Sequence, residues 1–288
     1  MKQQSKILPE SAAAYKMLLR IPMFDPEKFP AKILNKTTGL SWYRDEIGMS
    51  GSEIFLFKKM ALKIEKTSCT SENERKLLTW LDGKLPVPRI IETETEDGYS
   101  YLLMSRLQGE MACSKKSMRN AENTVKALAN GLKLLWQVDI SNCPCSNVVS
   151  EKLSQAKYNI ENYLVEMEYF NPGTFGPEGF SDLPDLYNFL DRKRPKEDFV
   201  FSHGDFCLPN VFVKGSDVTG FLDWGSGGIA DRWQDIALCL RSLRLNYVKL
   251  SGYGEADYRK RKEQLFQELA IEPDEEKIRY YLLLDELY

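Results

Sequence analysis

Three oxygen-bearing side chains within one short stretch of this chain are the residues best suited to chemistry. Asp205 precedes Asn210 by five positions, and Asp223 follows a segment that reads as a β-hairpin. A carboxylate on a rigid loop can align a hydroxyl group and accept its proton. A second carboxylate and an amide oxygen can hold Mg²⁺ against a nucleoside triphosphate. The spacing therefore predicts phosphoryl transfer, with Asp205 as the catalytic base and with Asn210 and Asp223 as the metal ligands.

The order of these residues matches the catalytic loop and the metal loop of the protein-kinase signature set. His203-Gly204-Asp205 stands where kinases have His-Arg-Asp, and Asp223-Trp224-Gly225 stands at the metal loop. Taken alone, Asp205 could equally be an aspartate that caps a turn. Its spacing relative to Asn210 and Asp223 is what favours the catalytic interpretation. His203, the single histidine, is interpreted as a structural residue that holds the loop backbone. We expect Trp224 to pack beneath the loop.

A lysine and a glutamate in the amino-terminal part are predicted to form an ion pair. Lys63 lies in the middle of a β-prone run, where an unpaired inward lysine would be costly. Glu74, on the following helix, shares a face with three leucines and so points towards the sheet, whereas Glu72 lies on another face. We expect Lys63 to present its ammonium to the α- and β-phosphates. The alternative is an outward-facing lysine on an edge strand.

A turn of small residues precedes the lysine strand, over residues 48–52. It lacks both the kinase Gly-x-Gly-x-x-Gly pattern and the Walker spacing, so a plain hairpin is one interpretation. Its position favours a second interpretation, in which backbone N–H groups and the Ser50 hydroxyl cover the terminal phosphates.

The hydrophobic pattern changes from sheet to helix along the chain. Runs over residues 40–66, 89–93 and 99–105 predict a five-stranded antiparallel sheet with one helix over 71–82, capped by Ser71. Helical stripes follow over residues 125–136, 153–169, 186–190, 233–245 and 278–287. The fold class is therefore α+β with two lobes. We expect a nucleotide-binding lobe over 1–104, a hinge over 105–109 and a mainly helical lobe over 110–288 that carries the catalytic loop, the metal loop and the acceptor site.

Composition excludes several classes of function. The 288 residues carry a formal net charge of only -3, which gives no indication of nucleic acid or an anionic membrane as a partner. No apolar run approaches the length of a membrane span. Six dispersed cysteines lack metal-binding or redox spacing and predict reduced thiols in a cytoplasmic protein. Nothing indicates an obligate protein partner.

Negative charge is concentrated in two segments of the carboxy-terminal half. Residues 151–191 contain eight acidic and two basic side chains, and residues 272–288 contain six acidic and two basic ones. Charge is therefore polarised along the chain. Either both segments present solvated helix faces, or they attract a ligand of opposite charge.

Several ordered stretches resemble those of aminoglycoside phosphotransferases of the type that modifies the 3′-hydroxyl of kanamycin-like antibiotics. They cover most of the chain from residue 48 onwards. The stretches with the clearest likeness are Trp80-Leu81-Asp82-Gly83-Lys84-Leu85-Pro86-Val87-Pro88, Leu102-Leu103-Met104-Ser105, Phe201-Ser202-His203-Gly204-Asp205, Gly220-Phe221-Leu222-Asp223, Ala230-Asp231-Arg232-Trp233-Gln234-Asp235-Ile236-Ala237 and Leu284-Asp285-Glu286-Leu287-Tyr288.

This resemblance implies a two-lobed protein-kinase-like fold and an ATP- and Mg²⁺-dependent kinase for a polycationic aminoglycoside. It implies that the Ser105 carbonyl and the Leu107 amide bind adenine, that Met104 lines the adenine pocket, and that Ser50 touches the terminal phosphates. Asp235 would brace the catalytic loop. The acceptor hydroxyl would meet Asp205, and the acceptor amines would meet further residues of the carboxy-terminal lobe, of which we expect Glu166, Glu168, Asp285, Glu286 and Tyr288.

The chain departs from the family pattern at three positions. Ala61 replaces the aromatic residue that stacks on adenine, Ser226 replaces a basic residue after the metal loop, and Tyr288 replaces a final phenylalanine. Two alternatives stay open: a kinase of the same fold for another small alcohol, such as choline, homoserine or a macrolide, and a non-catalytic nucleotide-binding pseudokinase. A protein kinase is disfavoured, because the segment after Asp223 is too short for an activation loop.

Overall fold

A computed structural model describes residues 24–45, 51–167 and 170–288. The described part of the chain divides into two compact units. The first contains the described residues up to Arg75 together with Arg89–Arg106. The second contains Lys76–Pro88 and Leu107–Tyr288.

An antiparallel sheet of five strands forms most of the first unit, as the sequence predicts. The strands are Trp42–Arg44 (β1), Glu53–Phe57 (β2), Met60–Lys66 (β3), Ile90–Glu96 (β4) and Tyr99–Ser105 (β5), in the order β1-β2-β3-β5-β4. Strand β3 lies between β2 and β5, and four consecutive residues at its centre are buried. Consecutive strand residues point to opposite faces, so four buried residues in a row mean that both faces of β3 are covered and that Lys63 is an inward position and not an exposed edge.

Two helical features of the first unit differ from the sequence expectation. A short helix, Ala31–Thr37 (α1), was not predicted, and its Ile33 packs with Phe55 and Leu62 in the core of the sheet. The next helix runs over Cys69–Leu81 (α2), so the prediction of Ser71 as its N-cap is wrong. Ser68 occupies that position, because its Oγ accepts from the Ser71 N–H at 3.1 Å while the Ser71 Oγ accepts from the Ser68 N–H at 2.9 Å.

The second unit is mainly helical. Its helices are Lys115–Arg119 (α3), Ala121–Trp136 (α4), Val149–Glu161 (α5), Leu183–Arg192 (α6), Arg232–Arg244 (α7), Glu255–Leu269 (α8) and Glu275–Asp285 (α9), and a π-helix covers Leu245–Leu250. Its strands are Glu110–Met111 (β6), Phe199–Ser202 (β7), Val211–Lys214 (β8), Asp217–Phe221 (β9) and Gly228–Asp231 (β10). Strands β8 and β9 form the predicted hairpin, with β6 beside β8, and β7 pairs with β10.

The helices of this unit differ from the sequence expectation at two places. Helix α5 ends at Glu161 and not near residue 169, because Asn162 caps it and Tyr163 takes a left-handed φ of 56°. Helix α8 was missed, since its sequence is rich in charged residues and it buries only Leu265, Phe266 and Leu269. Among the residues that the structure describes, no helix has both the length and the apolar content needed to span a bilayer.

Candidate active site

The catalytic loop begins where strand β7 ends. Gly204, in the second position of the loop, has a φ of +79°. A Cβ at this position would lie 1.6 Å from the Ser226 carbonyl oxygen, so any side chain would displace one of the two backbones. Glycine is therefore required here both for its left-handed conformation and for the close approach of residues 204 and 226.

A carboxylate from the first turn of helix α7 holds the start of the loop. Asp235 accepts hydrogen bonds from the His203 N–H at 2.7 Å and from the Gly204 N–H at 2.9 Å. Asp235 is fully buried, and burial raises its pKa, while His203 and the two backbone N–H groups oppose that shift. The bracing role that the family resemblance implies for Asp235 thus has a direct geometric basis.

His203 has the structural role that the sequence suggests. Its imidazole is buried and stacks on Trp224, with 4.4 Å between the ring centroids and 30° between the planes. Its Nδ1 accepts from the Asp205 N–H at 3.3 Å. Trp224 is itself fully buried beneath the loop. The ring pair therefore supports the backbone from which the Asp205 carboxylate projects.

Asp205 and Asn210 are in direct contact. The Asn210 Nδ2 donates to the Asp205 Oδ2 at 2.8 Å and to the Asp205 carbonyl at 3.0 Å. Both residues are half-buried. Because the amide nitrogen is directed at Asp205, the other amide atom of Asn210, Oδ1, is the one suited to a cation.

Asp223 is brought to Asn210 by the hairpin. The Leu222 N–H donates to the Asn210 carbonyl at 2.8 Å, so the residue after Leu222 lies beside the loop. Asp223 has a left-handed φ of 62°, a conformation that aspartate tolerates better than most residues. One carboxylate and one amide oxygen suit Mg²⁺ when phosphate oxygens complete the shell, so this donor set fits the ion. No group of three histidine, cysteine or acidic side chains that could hold a metal occurs among the described residues.

The first unit contains the predicted ion pair. The Lys63 Nζ lies 2.7 Å from the Glu74 Oε2 and 3.5 Å from the Glu65 Oε1. The Lys63 side chain is 8% exposed and that of Glu74 is 3% exposed, so the alternative of an outward-facing lysine is excluded. Sequence reasoning missed Glu65, two positions further along the same strand, where alternation places it on the same face as Lys63.

Three other candidate nucleotide residues lie at the end of strand β5 and just after it. Met104 is buried in strand β5 and pairs with Ala61 across the sheet. Ser105 exchanges two hydrogen bonds of 2.9 Å with the Arg89 backbone. The Leu107 side chain lies against Gly220, where a Cβ would approach it to 2.5 Å. Residues 48–50 of the predicted turn, which include Ser50, lie outside the described residues.

The candidate acceptor residues of the chain terminus have partners within the second unit. Glu286 accepts from the Asn171 N–H at 3.0 Å and from the Thr174 hydroxyl at 2.8 Å. Asp285 forms an ion pair with Arg241, and the Tyr288 hydroxyl donates to the Lys152 carbonyl. Glu166 is half-buried, and Glu168 lies outside the described residues. Sequence reasoning did not identify Arg241 and Lys152 as partners of the chain terminus, because nothing local marks a basic side chain on a helix for such a contact.

Comparison with known proteins places this geometry in a family. A family model described as "Phosphotransferase enzyme family" matches residues 58–264. The aminoglycoside 3'-phosphotransferase of Enterococcus faecalis is 38% identical over 256 residues, which cover 85% of this chain and 92% of the relative. That of Staphylococcus aureus is 37% identical over 255 residues, with the same coverage.

Solved structures agree with the sequence relatives. An aminoglycoside-3'-phosphotransferase of type VIII has 26% identity and a TM-score of 0.74, covering 88% of this chain and 96% of its own. An aminoglycoside phosphotransferase from Streptomyces rimosus, at 24% identity, shares the fold with a TM-score of 0.76 over 92% of this chain and 99% of its own. The fold and the site together define a phosphotransferase of the protein-kinase-like type. Within that class, the chain belongs to the aminoglycoside 3'-phosphotransferase family.

Proposed function

We propose that this protein transfers the γ-phosphoryl group of ATP to a hydroxyl group of an aminoglycoside antibiotic, the 3′-hydroxyl, and so confers resistance. Membership of the family supports the reaction. The observation that carries the proposal is the direct contact of Asn210 with Asp205 on one side and with Leu222 on the other. These contacts support a cluster in which Asp205 would act as the base and Asn210 and Asp223 would hold the metal, as in-line phosphoryl transfer requires.

In the proposed mechanism, Asp205 does the chemistry at the acceptor. One of its oxygens is oriented by Asn210, and the carboxylate aligns the acceptor hydroxyl and takes its proton as the new O–P bond forms. Asn210 and Asp223 would hold magnesium, which when bound neutralises charge on the phosphate oxygens. Lys63, fixed by Glu74, would contact the α- and β-phosphates. Met104, Ser105, Leu107 and Ser50 would complete nucleotide binding.

The acid-rich segments support a polycationic acceptor. Contacts of Glu286 with residues 171–174 bring part of the 151–191 segment against the 272–288 segment. A cation bound there would meet carboxylates from both segments. We propose Glu166, Glu168, Asp285, Glu286 and Tyr288 as residues that bind the acceptor. The six free cysteines agree with a cytoplasmic location, which we also propose.

An ADP-release assay with matched acceptors tests the proposal. We expect ADP release with kanamycin B and none with tobramycin, which differs only in lacking the 3′-hydroxyl. Choline, homoserine and a macrolide are assayed in parallel, to test the alternative of a same-fold kinase for another small alcohol. Turnover of one of these in place of kanamycin B would refute the aminoglycoside assignment, and turnover of tobramycin would refute the 3′-hydroxyl.

A further inference from the structure

The turn that follows Asp223 lies directly against the catalytic loop. Its Ser226 carbonyl oxygen is the atom that an added Cβ at Gly204 would approach to 1.6 Å. Asp223 stands three positions before this carbonyl, with a left-handed φ of 62°, and Asp205 follows Gly204 directly. The spacing between the two carboxylates therefore depends on where the Ser226 carbonyl is held.

Asn147 holds this turn through its side-chain amide. Its Nδ2 donates to the Ser226 carbonyl at 2.5 Å and to the Gly227 carbonyl at 3.3 Å. An amide nitrogen carries two hydrogens, so one side chain can serve both carbonyls. The Gly227 N–H donates to the Trp224 carbonyl at 2.9 Å and closes the turn. Asn147 thus fixes the end of the turn whose beginning carries Asp223.

The backbone that carries Asn147 is itself anchored. The Asn147 N–H donates to the Ile229 carbonyl at 2.8 Å, and the Ile229 N–H donates to the Cys145 carbonyl at 3.0 Å. Ser146 and Ile229 form an isolated parallel bridge. A Cβ at Gly228 would lie 2.8 Å from the Cys145 carbonyl oxygen, so the two segments are in close contact. The amide is therefore presented to the turn from a fixed position beside strand β10.

We propose that Asn147 is a positioning residue for the metal ligands: by holding the turn, it keeps Asp223 in register with Asn210. This inference rests on the proposed function, because the metal roles of Asp223 and Asn210 belong to it. A residue that orients a metal ligand from outside the coordination shell changes metal affinity without touching the metal. Loss of the amide would take this donor from two carbonyls and release the turn from its contact with the catalytic loop.

Two substitutions at residue 147 test the amide donors. Asn147→Asp keeps the shape of the side chain but replaces both donors with oxygens that only accept, and Asn147→Ala removes the amide without adding charge. Asn142→Asp is the matched control, because it changes the net charge equally. Asn142 lies five positions earlier in the same connecting segment, is exposed, and donates to the Ser141 hydroxyl. Denaturant unfolding shows that each variant is folded.

Calorimetry measures the dissociation constant of a non-hydrolysable ATP analogue, once with Mg²⁺ and once with EDTA, and without any acceptor. Asn147→Asp and Asn147→Ala should weaken binding of the magnesium complex by about tenfold. Binding with EDTA should change by less than about twofold, because the effect passes through a metal ligand. Asn142→Asp should match the wild type in both conditions.

A double variant distinguishes positioning from a general structural role. Because Asn147 would act on the metal through Asp223, adding Asn147→Ala to Asp223→Ala should lower the affinity for the magnesium complex no further. Two unrelated sites would instead give losses that multiply. This comparison tests the inference even if Asn147→Asp fails to fold.

Any of three results would overturn the inference: an unchanged affinity for the magnesium complex in the folded variants at residue 147, an equal loss with Mg²⁺ and with EDTA, or losses that multiply in the double variant. None of these measurements uses an acceptor. A wild type that shows the expected magnesium dependence but phosphorylates no aminoglycoside would therefore refute the reaction and not the role of Asn147.

Discussion

The Asp205 carboxylate is oriented by one contact to its side chain and by another to its backbone. The Asn210 amide fixes one of its oxygens, and the buried ring pair of His203 and Trp224 supports the backbone behind it. If Asp205 is the base, as we propose, it needs little reorganisation when the acceptor hydroxyl approaches, and such positioning is the main contribution a protein can make to phosphoryl transfer. The roles proposed for Asp205 and Asp223 differ, so their substitutions should affect different measurable quantities.

Asp205→Ala should lower turnover by at least about a hundredfold, because the hydroxyl loses the group that aligns it and accepts its proton. Nucleotide affinity should stay within about threefold, since Asp205 is not assigned to the metal or the phosphates. Single-turnover kinetics and nucleotide calorimetry measure the two quantities. A variant that keeps more than about a tenth of wild-type turnover would remove Asp205 from the catalytic role.

Asp223→Ala should weaken binding of the magnesium–nucleotide complex by about tenfold or more, because it removes the one carboxylate of the metal pair. Binding of the nucleotide measured with EDTA present should change much less. Asp217→Ala, an exposed position on the same hairpin, is the matched control. Equal affinities of the Asp223 and Asp217 variants for the magnesium complex would refute the metal assignment.

At the scale of elements, the loop depends on two partners that are distant in sequence. Helix α7 presents Asp235 to the loop N–H groups, and the segment at Ser226 packs directly against Gly204. The active geometry is therefore a product of helix and hairpin packing and not of the loop sequence alone. Gly204 is the position where this packing leaves no room for a side chain.

Gly204→Ala should destabilise the protein clearly more than Gly98→Ala and should also lower kcat. The two glycines share a φ of +79°, but a Cβ at residue 98 would meet nothing within 4 Å. The loss in free energy of unfolding of Gly98→Ala thus measures the strain of a left-handed alanine, about 1 to 2 kcal/mol. The additional loss in Gly204→Ala measures the clash with the Ser226 carbonyl. Denaturant unfolding measures both values. Equal losses of stability would show that the loop relaxes without cost.

At the scale of the whole molecule, the net charge of -3 conceals a strong asymmetry. The tail links the two acid-rich segments, because Glu286 contacts residues 171–174, Leu287 contacts Asn159 and Tyr288 contacts Lys152. These contacts join residues that are more than a hundred positions apart in the sequence. The tail is thus both a structural support and the proposed wall of the acceptor site.

Deletion of residues 286–288 should raise the Michaelis constant for the acceptor by about tenfold or more and leave that for ATP nearly unchanged. Tyr288→Phe is the milder comparison, since it keeps the ring over Lys152 and loses only the hydroxyl bond. Steady-state kinetics with each substrate varied in turn separates the two constants. A parallel rise of both would contradict an acceptor site built by the tail.

Much of the site was predictable from short stretches of sequence. Asp205, Asn210 and Asp223 lie within one loop and one hairpin, so their proximity follows from local chain geometry. Lys63 and Glu74 were paired because strand alternation and helix periodicity both direct them inward. The N-cap at Ser68 and helix α8 were missed, since a neighbouring serine offered a competing cap and a charged helix buries too little to show a stripe.

The sequence by itself determined the chemistry, because residue types at fixed short spacing limit what a loop can bind and which proton it can take. Only the tertiary structure determined which distant residues hold the catalytic loop and the chain terminus in place. It placed Asp235 under the loop, Arg241 beside Asp285, the Lys152 ammonium over the Tyr288 ring, and the tail against residues 171–174. These contacts join residues from 31 to 136 positions apart in the sequence. Their pairing depends on how helix faces pack against one another, which periodicity along a single helix does not specify.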